Sequence, residues 1–279
     1  MILHISHETR YSYSGDVMPG IHYLHFHPQL RSYIKLLDFN LQVLPAPDAL
    51  TARTDPENNL YHQCWFSAPT RSMEIHADIR VETKTFNPFE FLIDTHGPQG
   101  TEQYRRNSEE YLKPFLAEAD VSEELKAFTD QFSQENALDY FVKLTEAIAA
   151  EWDHHERMEQ NILDVSTCFS RRAGSCRDLA RMMMAMLRCS GLPSRFVSGY
   201  SYGAEDVEAG HELHAWVEAF IAGAGWVGTD PSLGLLTTER YIPVAASFDP
   251  QRTMPVQGFY HGSATSLMET RVSIREDQP

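Results

Sequence analysis

Residues 173–180, AGSCRDLA, join a glycine-containing turn to an amphipathic pattern, and this stretch constrains the fold more than any other. After Cys176, apolar residues recur at steps of three and four, which predicts a helix with one buried stripe formed by Leu179, Met182, Met183, Met186 and Leu187. Cys176 precedes this stripe by three residues, so we expect its side chain to point inward. Free N–H groups and the positive end of the helix dipole would favour its thiolate. The pattern predicts a reactive cysteine at the start of a helix that Gly191 and Pro193 end.

A predicted strand downstream carries a histidine that could serve as the base for this cysteine. Residues 211–220 alternate apolar and polar positions, and this alternation places His214 on the same face as Trp216 and Phe220. The neighbouring His211 falls on the opposite face. His214 is therefore the predicted base, and His211 is its rival.

An aspartate follows on a second predicted strand, which pairs with the first through a turn at residues 221–225. This strand ends at Asp230 because Pro231 cannot continue a hydrogen-bonded ladder. With that turn length, Asp230 lies opposite Trp216 and diagonal to His214, within reach of its ring. A shift of one residue in register would turn Asp230 away, so the predicted His–Asp pair depends on the length of the turn.

Cysteine, histidine and aspartate in this order supply what nucleophilic catalysis by a thiol requires. A base takes the proton from the thiol, and a third group holds that base in one tautomer and orientation. Cys176, His214 and Asp230 are the candidates for these three roles. The alternative, that Cys176 is only a small buried hydrophobic residue beneath a helix, stays open on the pattern of the helix by itself.

Four segments of the chain resemble a known family: GSCRDLA around the cysteine, GLPSRFVSGY after the helix, HAWVEAF around the histidine and GWVGTDPS around the aspartate. They are similar to the transglutaminase-like superfamily of cysteine enzymes, whose core is related to papain-like proteases. This resemblance covers residues 140–260. The first ninety residues, with YSYSGDV, PAPD and a β-rich pattern, resemble the β-domain that precedes the core in a bacterial subgroup.

The resemblance implies an α+β fold with a papain-like, transglutaminase-like core of N-terminal helices packed on an antiparallel sheet. We expect a β-sandwich-like domain at residues 1–90, a linker at 91–104, the catalytic core at 105–255, and a C-terminal strand and tail at 256–279. Members of the family often carry an aromatic residue upstream of the cysteine that helps to stabilise the oxyanion. By that resemblance, Trp152 and His154 are the oxyanion candidates.

Local patterns add expectations for the rest of the chain. In the N-terminal part, alternation predicts short strands, with turns at residues 14–16 and 54–59; the strands are 2–13, 20–28, 39–44, 60–66 and 73–85. Ser122 and Asn136 are predicted helix N-caps. Residues 161–172 are predicted to form a loop, and the alternating tail at 266–274 is expected to return to the core sheet.

No catalytic or metal-binding role is predicted for the remaining histidines and cysteines. His25 and His27 share a strand face without a nearby cysteine, so we expect hydrogen-bonded or surface histidines and no metal ion. Cys168 is expected to be structural or exposed, and Cys189 lies where the helix dipole makes a thiol a poor nucleophile. Asp178 is assigned a structural role in the first helical turn. No cofactor is predicted.

Composition bounds the partners and the location. The formal net charge of −16 argues against nucleic acid and anionic membranes as partners. No apolar run is long enough to span a bilayer, and the first residues lack the blocks of a signal peptide. Four cysteines without short paired spacing suit a reducing compartment, so a cytoplasmic location is expected. The acidic loop at residues 202–210 is expected to border the cleft or to be ordinary solvated surface. The sequence leaves the oligomeric state undetermined.

These inferences lead to one expected mechanism with alternatives. Cys176 would attack an amide carbonyl of a peptide or protein, His214 would protonate the departing amine, and Asp230 would orient His214. Hydrolysis of the resulting thioester is favoured for two reasons. A chain with this short core lacks the additional domains of cross-linking transglutaminases, and its sequence shows no calcium-loop pattern of alternating acidic residues. Acyl transfer from glutamine to an amine is the alternative, and a catalytically silent binding module on the same fold is a third possibility.

Overall fold

The computed structural model describes residues 1–94, 110–117, 121–132, 136–157, 159, 161–203 and 213–277. It has the predicted α+β architecture, in which an antiparallel sheet near the N-terminus accompanies a core of helices packed on a second antiparallel sheet. The predicted linker at residues 91–104 falls largely outside the described residues.

The N-terminal strands form one sheet that curls around a long first strand. Its members near the N-terminus are β1 (Ile2–Leu24), β2 (Ile34–Leu44), β3 (Ala49–Thr54), β4 (Leu60–Trp65) and β5 (Thr70–Thr83). They lie in the order β2-β5-β1-β4-β3. The first half of β1 pairs with β5, and its second half pairs with β4. Apolar side chains from both halves face a common core, so the expected β-sandwich-like domain is a single sheet folded over on itself.

The turn predicted at residues 14–16 is wrong, because β1 continues through it. The register between β1 and β5 shifts between Ser12 and Val17, which makes this segment a bulge. The backbone N–H of Ser14 donates to the carbonyl oxygen of Thr265 at 3.0 Å, and the N–H of Thr265 donates to Ser14 Oγ at 3.0 Å. These cross-chain hydrogen bonds keep the chain extended where glycine and aspartate favour a turn.

The C-terminal strands belong to the N-terminal sheet, which corrects the expectation that the tail returns to the core sheet. Strands β13 (Val256–His261) and β14 (Ser266–Glu276) both pair antiparallel with β1. The pairing of β14 runs from Leu3 opposite Glu276 to Tyr13 opposite Ser266. The free edge of the long β1 provides eleven consecutive partners, and alternation within β14 could not reveal which edge it would join.

The core sheet has the order β11-β10-β9-β8-β12. Its strands are β8 (Ser194–Ser201), β9 (Leu213–Ile221), β10 (Gly225–Asp230), β11 (Leu235–Leu236) and β12 (Tyr241–Ser247), and two-residue strands β6 (Asp153–His154) and β7 (Ala173–Gly174) pair with each other. The helices are α1 (Lys113–Leu116), α2 (Glu123–Asp130), α3 (Ala137–Glu151), α4 (Val165–Arg171) and α5 (Cys176–Cys189), with 3-10 turns at Glu110–Leu112 and Pro250–Thr253. Within the described residues, no helix is long and apolar enough to cross a membrane.

Helix starts are well predicted by local patterns, with one exception. The side chains of Ser122 and Asn136 cap α2 and α3 by accepting the N–H groups of Leu125 and Leu138, so both predicted N-caps are confirmed. The predicted loop at residues 161–172 is partly wrong, because it contains α4. Asp164 caps α4 by accepting the N–H of Thr167 at 2.9 Å, a signal that the sequence carried.

Buried contacts join the N-terminal sheet to the core. Apolar residues of β1 and β5 form one cluster with residues of β8 and β12, including Leu3, Ile79, Tyr200 and Val244. His7 Nδ1 lies 2.9 Å from the hydroxyl of Tyr200 within this cluster. The two parts therefore share buried surface, and the N-terminal sheet packs against β8 and β12 of the core sheet.

Candidate active site

Cys176 is the first residue of α5, as the sequence predicted, and Ser175 is the N-cap. The N–H groups of Asp178 and Leu179 donate to the Ser175 carbonyl oxygen at 2.9 and 3.0 Å. At a helix start the first N–H groups, here those of Cys176 and Arg177, have no partner within the helix. Cys176 is half-buried, whereas the rest of the helix face behind it lies in the core. The thiol therefore lies at the N-terminus of α5, with backbone N–H donors beside it.

His214 and Asp230 lie on the paired strands β9 and β10, as predicted. The pairing of Gly225 with Ile221 and of Thr229 with Val217 gives the predicted turn length and brings Asp230 to the side of His214. His214 Nε2 donates to Asp230 Oδ2 at 2.6 Å. The carboxylate is fully buried, and the imidazole is 17% exposed. This bond leaves Nδ1 of His214 as the ring nitrogen that faces the thiol.

Two residues that sequence reasoning missed hold the aspartate in place. Tyr241, from β12, donates its hydroxyl to Asp230 Oδ2 at 2.9 Å. Ser232 donates its N–H and its hydroxyl to Asp230 Oδ1, at 2.9 and 2.5 Å. The Asp-Pro-Ser order is a turn signal that could have revealed the Ser232 contact, but nothing in the sequence pointed to Tyr241.

Charges in this cluster support one another. Burial would raise the pKa of Cys176, but the charge of His214 and hydrogen bonds from His154 and His214 outweigh burial and lower this pKa to about 6. Burial would lower the pKa of His214, but Asp230 and Cys176 raise it well above its ordinary value. Burial would raise the pKa of Asp230, and the charge of His214 with its hydrogen bonds lowers it instead. The arrangement favours a thiolate beside an imidazolium near neutral pH.

The two oxyanion candidates have different surroundings. Trp152 is 3% exposed and its Nε1–H donates to the carbonyl oxygen of Cys168 at 3.1 Å, so this donor is occupied in the core and the structure argues against its oxyanion role. His154 lies on β6, opposite Gly174 of β7, and its exposed side chain comes close enough to the Cys176 thiol to lower the pKa of that thiol. Helix α3 ends before His154, at Glu151, and the short strand β6 directs His154 to the sulfur.

Other predicted features lie apart from this site. Burial raises the pKa of Cys168 to about 12, so it is a structural thiol. His25 and His27 hydrogen-bond through Nδ1 to the carbonyl oxygens of Met254 and Pro28. Among the residues that the structure describes, no group of three or more histidine, cysteine, aspartate or glutamate side chains is placed to hold a metal ion. His211 and the acidic residues 205–208 lie outside the described residues.

Two family models match the chain. The bacterial transglutaminase-like N-terminal region matches residues 3–82, and the transglutaminase-like superfamily core matches residues 125–231. The core match includes Cys176, His214 and Asp230. The chain therefore belongs to the transglutaminase-like superfamily, as its motifs predicted.

Relatives cover the chain to different extents. The uncharacterised protein Mb2599c of Mycobacterium bovis is 23% identical over 308 aligned positions, which cover 97% of this chain and 91% of that protein. The uncharacterised protein ML0607 of Mycobacterium leprae is 33% identical over 105 residues, covering 36% of this chain and 37% of that protein. A protein-glutamine gamma-glutamyltransferase of Pseudomonas aeruginosa is 39% identical over 71 residues, covering 23% of this chain and 10% of that protein. The last two matches thus span a minor part of each relative.

A solved structure confirms the fold. A Cytophaga hutchinsonii protein described as a candidate cysteine protease superposes with a TM-score of 0.76 at 18% identity, covering 100% of this chain and 92% of that chain. At this level of identity, the two chains share an architecture that includes the N-terminal β region.

Proposed function

We propose that this protein is a cysteine enzyme that acts on amide bonds through Cys176, His214 and Asp230. One observation carries the proposal: the thiol at the start of α5 faces an imidazole whose far nitrogen is held at 2.6 Å by a buried carboxylate. Superfamily membership supports the same chemistry. The substrate in this proposal is an amide of a peptide or protein, and neither a cofactor nor a nucleic acid or membrane partner is part of it.

The first half of the reaction forms a thioester. The Cys176 thiolate attacks the amide carbonyl carbon, and the negative charge that develops on the carbonyl oxygen is stabilised by the N–H of Cys176 and by His154. The His214 imidazolium then gives its Nδ1 proton to the departing amine as the C–N bond breaks. Asp230 keeps Nε2 protonated and holds the ring in line throughout.

The second half resolves the thioester, and we favour water as the acceptor. The ring of His214 is 17% exposed, so water can reach the neutral imidazole that the first half leaves behind. His214 would take a proton from this water, and the thiolate would leave as the carboxylic acid product forms. Hydrolysis needs no second binding site for an amine, which makes it the simpler outcome of this geometry.

Acyl transfer to an amine is the second candidate. The match of 71 residues to a protein-glutamine gamma-glutamyltransferase is the observation that supports this candidate. In that case an amine would attack the thioester in place of water, and the side-chain amide of glutamine would be the donor.

A binding module without catalysis is the third candidate. A cytoplasmic location is also part of the proposal.

Alkylation of Cys176 tests the catalytic pair directly. The rate of iodoacetamide labelling would be measured by peptide mass spectrometry against pH, in the wild type and in His214→Ala. We expect rapid labelling below pH 7 that collapses in the variant, with Cys168 of the same protein as the unreactive reference. Labelling no faster than at Cys168, or unchanged by the substitution, would leave the binding module as the better account.

A second experiment separates hydrolysis from transfer. Glutamine-containing peptides would be incubated with the enzyme, with and without a primary amine, and followed by intact mass. Hydrolysis predicts a gain of about 1 Da at the glutamine side chain, or cleavage of the peptide, that the amine does not change. Transfer predicts a product heavier by the mass of the amine minus ammonia.

A further inference from the structure

The carboxylate of Asp178 joins three segments around the helix start, although no solvent reaches it. Asp178 Oδ2 accepts the N–H and the hydroxyl of Ser175 at 2.9 and 2.7 Å. Its Oδ1 accepts the N–H of Leu163 at 2.8 Å. Burial would raise the pKa of Asp178, but hydrogen bonds from Leu163, Ser175 and Arg157 lower it, so the group is an anion two residues from the reactive thiol.

Arg157 is the cation that meets this anion. Its Nη1 lies 3.0 and 2.9 Å from the two carboxylate oxygens of Asp178, and its side chain is 10% exposed. Arg157 also donates to Asn161, and its own carbonyl oxygen accepts Nη2 of Arg177 at 3.1 Å. Because Arg157 follows His154 by three residues, this ion pair ties the segment that carries His154 to the segment that carries Cys176.

A buried carboxylate without its partner would work against the thiolate. A like charge a few ångströms away disfavours the ionised form of an acid, and a nearby opposite charge removes this penalty. His154 on β6, His214 on β9 and Asp230 on β10 act directly on the Cys176 thiol. The other charged groups of these segments are Arg177 and Asp178 on α5, and Arg157 and Glu159 after β6. The pair Arg157–Asp178 thus carries no net charge beside the first turn of α5, and the exposed carboxylate of Glu159 lies 3.6 Å from Nε of the same arginine.

We propose that Arg157 is a positioning residue for the Cys176–His214 pair, which neutralises Asp178 and holds His154 against the thiol. Arg157 touches neither the substrate nor the reacting atoms, so it acts through Asp178 and the backbone that leads to His154. The inference rests on the proposed function, because it assigns a residue to the same site. It also explains why an acidic side chain is tolerated in the first turn of the helix that bears the nucleophile.

The test compares the pH midpoint of Cys176 alkylation in two variants that are expected to move in opposite directions. Arg157→Gln leaves the Asp178 anion uncompensated, and the midpoint should rise by about one pH unit. Asp178→Asn leaves the Arg157 cation uncompensated, and the midpoint should stay or fall. Arg181→Gln is the matched control, because Arg181 holds the same segment through the neutral carbonyl oxygen of Leu163 at 3.1 Å. Its midpoint should stay at the wild-type value. Thermal unfolding of all four proteins records loss of stability separately.

The outcomes separate the positioning role from simple loosening of the segment and from failure of the proposed function. If both variants raise the midpoint, or if Arg181→Gln raises it as much as Arg157→Gln, the segment is merely loosened and the positioning role is overturned. If Arg157→Gln does not fold, the direction of change in Asp178→Asn still decides the matter. A wild-type midpoint near that of an ordinary thiol would instead overturn the proposed function.

Discussion

The N-terminal sheet and the core both bury histidines, yet the two regions shift histidine pKa values in opposite directions. In the N-terminal sheet, burial lowers the pKa of His7 and of His62 to about 4. In the core, Asp230 and Cys176 raise the pKa of His214 well above its ordinary value despite burial. Within the part of the chain that the structure describes, His7 hydrogen-bonds to the hydroxyls of Tyr200 and Thr9, at 2.9 and 3.1 Å. Neutral partners satisfy a buried imidazole, whereas an anionic partner charges it.

The cysteines repeat this lesson. Cys168 and Cys176 are eight residues apart, and the pKa is raised to about 12 in the first and lowered to about 6 in the second. Burial opposes ionisation at both positions. The difference is that Cys176 has two histidines against its sulfur, while Cys168 lies in the core and the negative charge of Asp178 adds to the effect of burial on its pKa. The direction of each cysteine pKa shift therefore follows from the charges of its neighbours.

Asp230→Asn should break the comparison most strongly, because it leaves His214 without its anionic partner. The pKa of His214 would then fall toward that of a histidine shifted by burial alone, and the thiolate would lose its counter-charge. We expect the rate of Cys176 alkylation at pH 6.5 to fall about 100-fold to 1,000-fold. Peptide mass spectrometry after timed iodoacetamide exposure measures this rate.

Asp164→Asn is the control for this substitution. Asp164 caps α4 through Thr167, and asparagine caps a helix about as well. Its alkylation rate should match that of the wild type. If Asp230→Asn also labels at the wild-type rate, the two regions treat their histidines alike and the comparison fails.

Acid should weaken the fold through the N-terminal histidines. An unfolded histidine takes up a proton near pH 6.5, whereas folded His7 does so only at about 4, so stability is present above pH 6.5 and is lost as the pH falls toward 4. His7→Gln should remove about 2–3 kcal/mol of the loss between pH 7 and pH 4.5. Urea unfolding of both proteins at the two pH values measures this. An equal loss in the variant would assign the acid sensitivity to other groups.

Tyr241→Phe should have an intermediate effect, chiefly through the loss of its hydrogen bond to Asp230. The variant removes a hydroxyl that donates to the carboxylate at 2.9 Å and leaves the contacts of the ring in place. Hydrogen bonds to charged groups contribute about 1.5–3 kcal/mol, so we expect a loss of about 2 kcal/mol in the free energy of unfolding. Tyr140→Phe removes a buried hydroxyl that bonds neutral Ser190 at 2.6 Å and provides the matched control. An equal loss in both would show that the charge of Asp230 adds nothing.

Cys168→Ala should have the smallest effect and sharpens the comparison of the two thiols. Removing a buried sulfur leaves a small cavity that costs about 1 kcal/mol of stability. The alkylation rate of Cys176 should be unchanged, because Cys168 contributes no charge to the site. A slower rate at Cys176 would show that the two positions are coupled.

Local sequence patterns were sufficient for much of the site. The start of α5 at Cys176 and the N-caps Ser122 and Asn136 depend on side chains within one helical turn. The His214–Asp230 contact followed from strand alternation and the length of one turn. Each of these features is set by neighbours close in the chain, where stereochemistry leaves few options. The catalytic roles of these residues remain predictions for the experiments above.

Other features required contacts between distant parts of the chain. Tyr241, which secures Asp230, comes from another strand, and Arg157 meets Asp178 only because β6 pairs with β7. Residues 14–16 stay extended because residue 265 supplies their hydrogen bonds. A local pattern cannot identify such partners, since many edges and many polar groups could satisfy it.

The sequence by itself determined the helix that begins at Cys176, the face of the strand that bears His214, and the register that reaches Asp230. Tertiary structure decided that β14 joins β1, that Trp152 is a core residue, and that His154 lies against the sulfur. The physical reason is the range of the forces involved. Backbone geometry and side-chain periodicity act over a few residues, whereas the pKa of a buried group depends on every charge brought near it by folding.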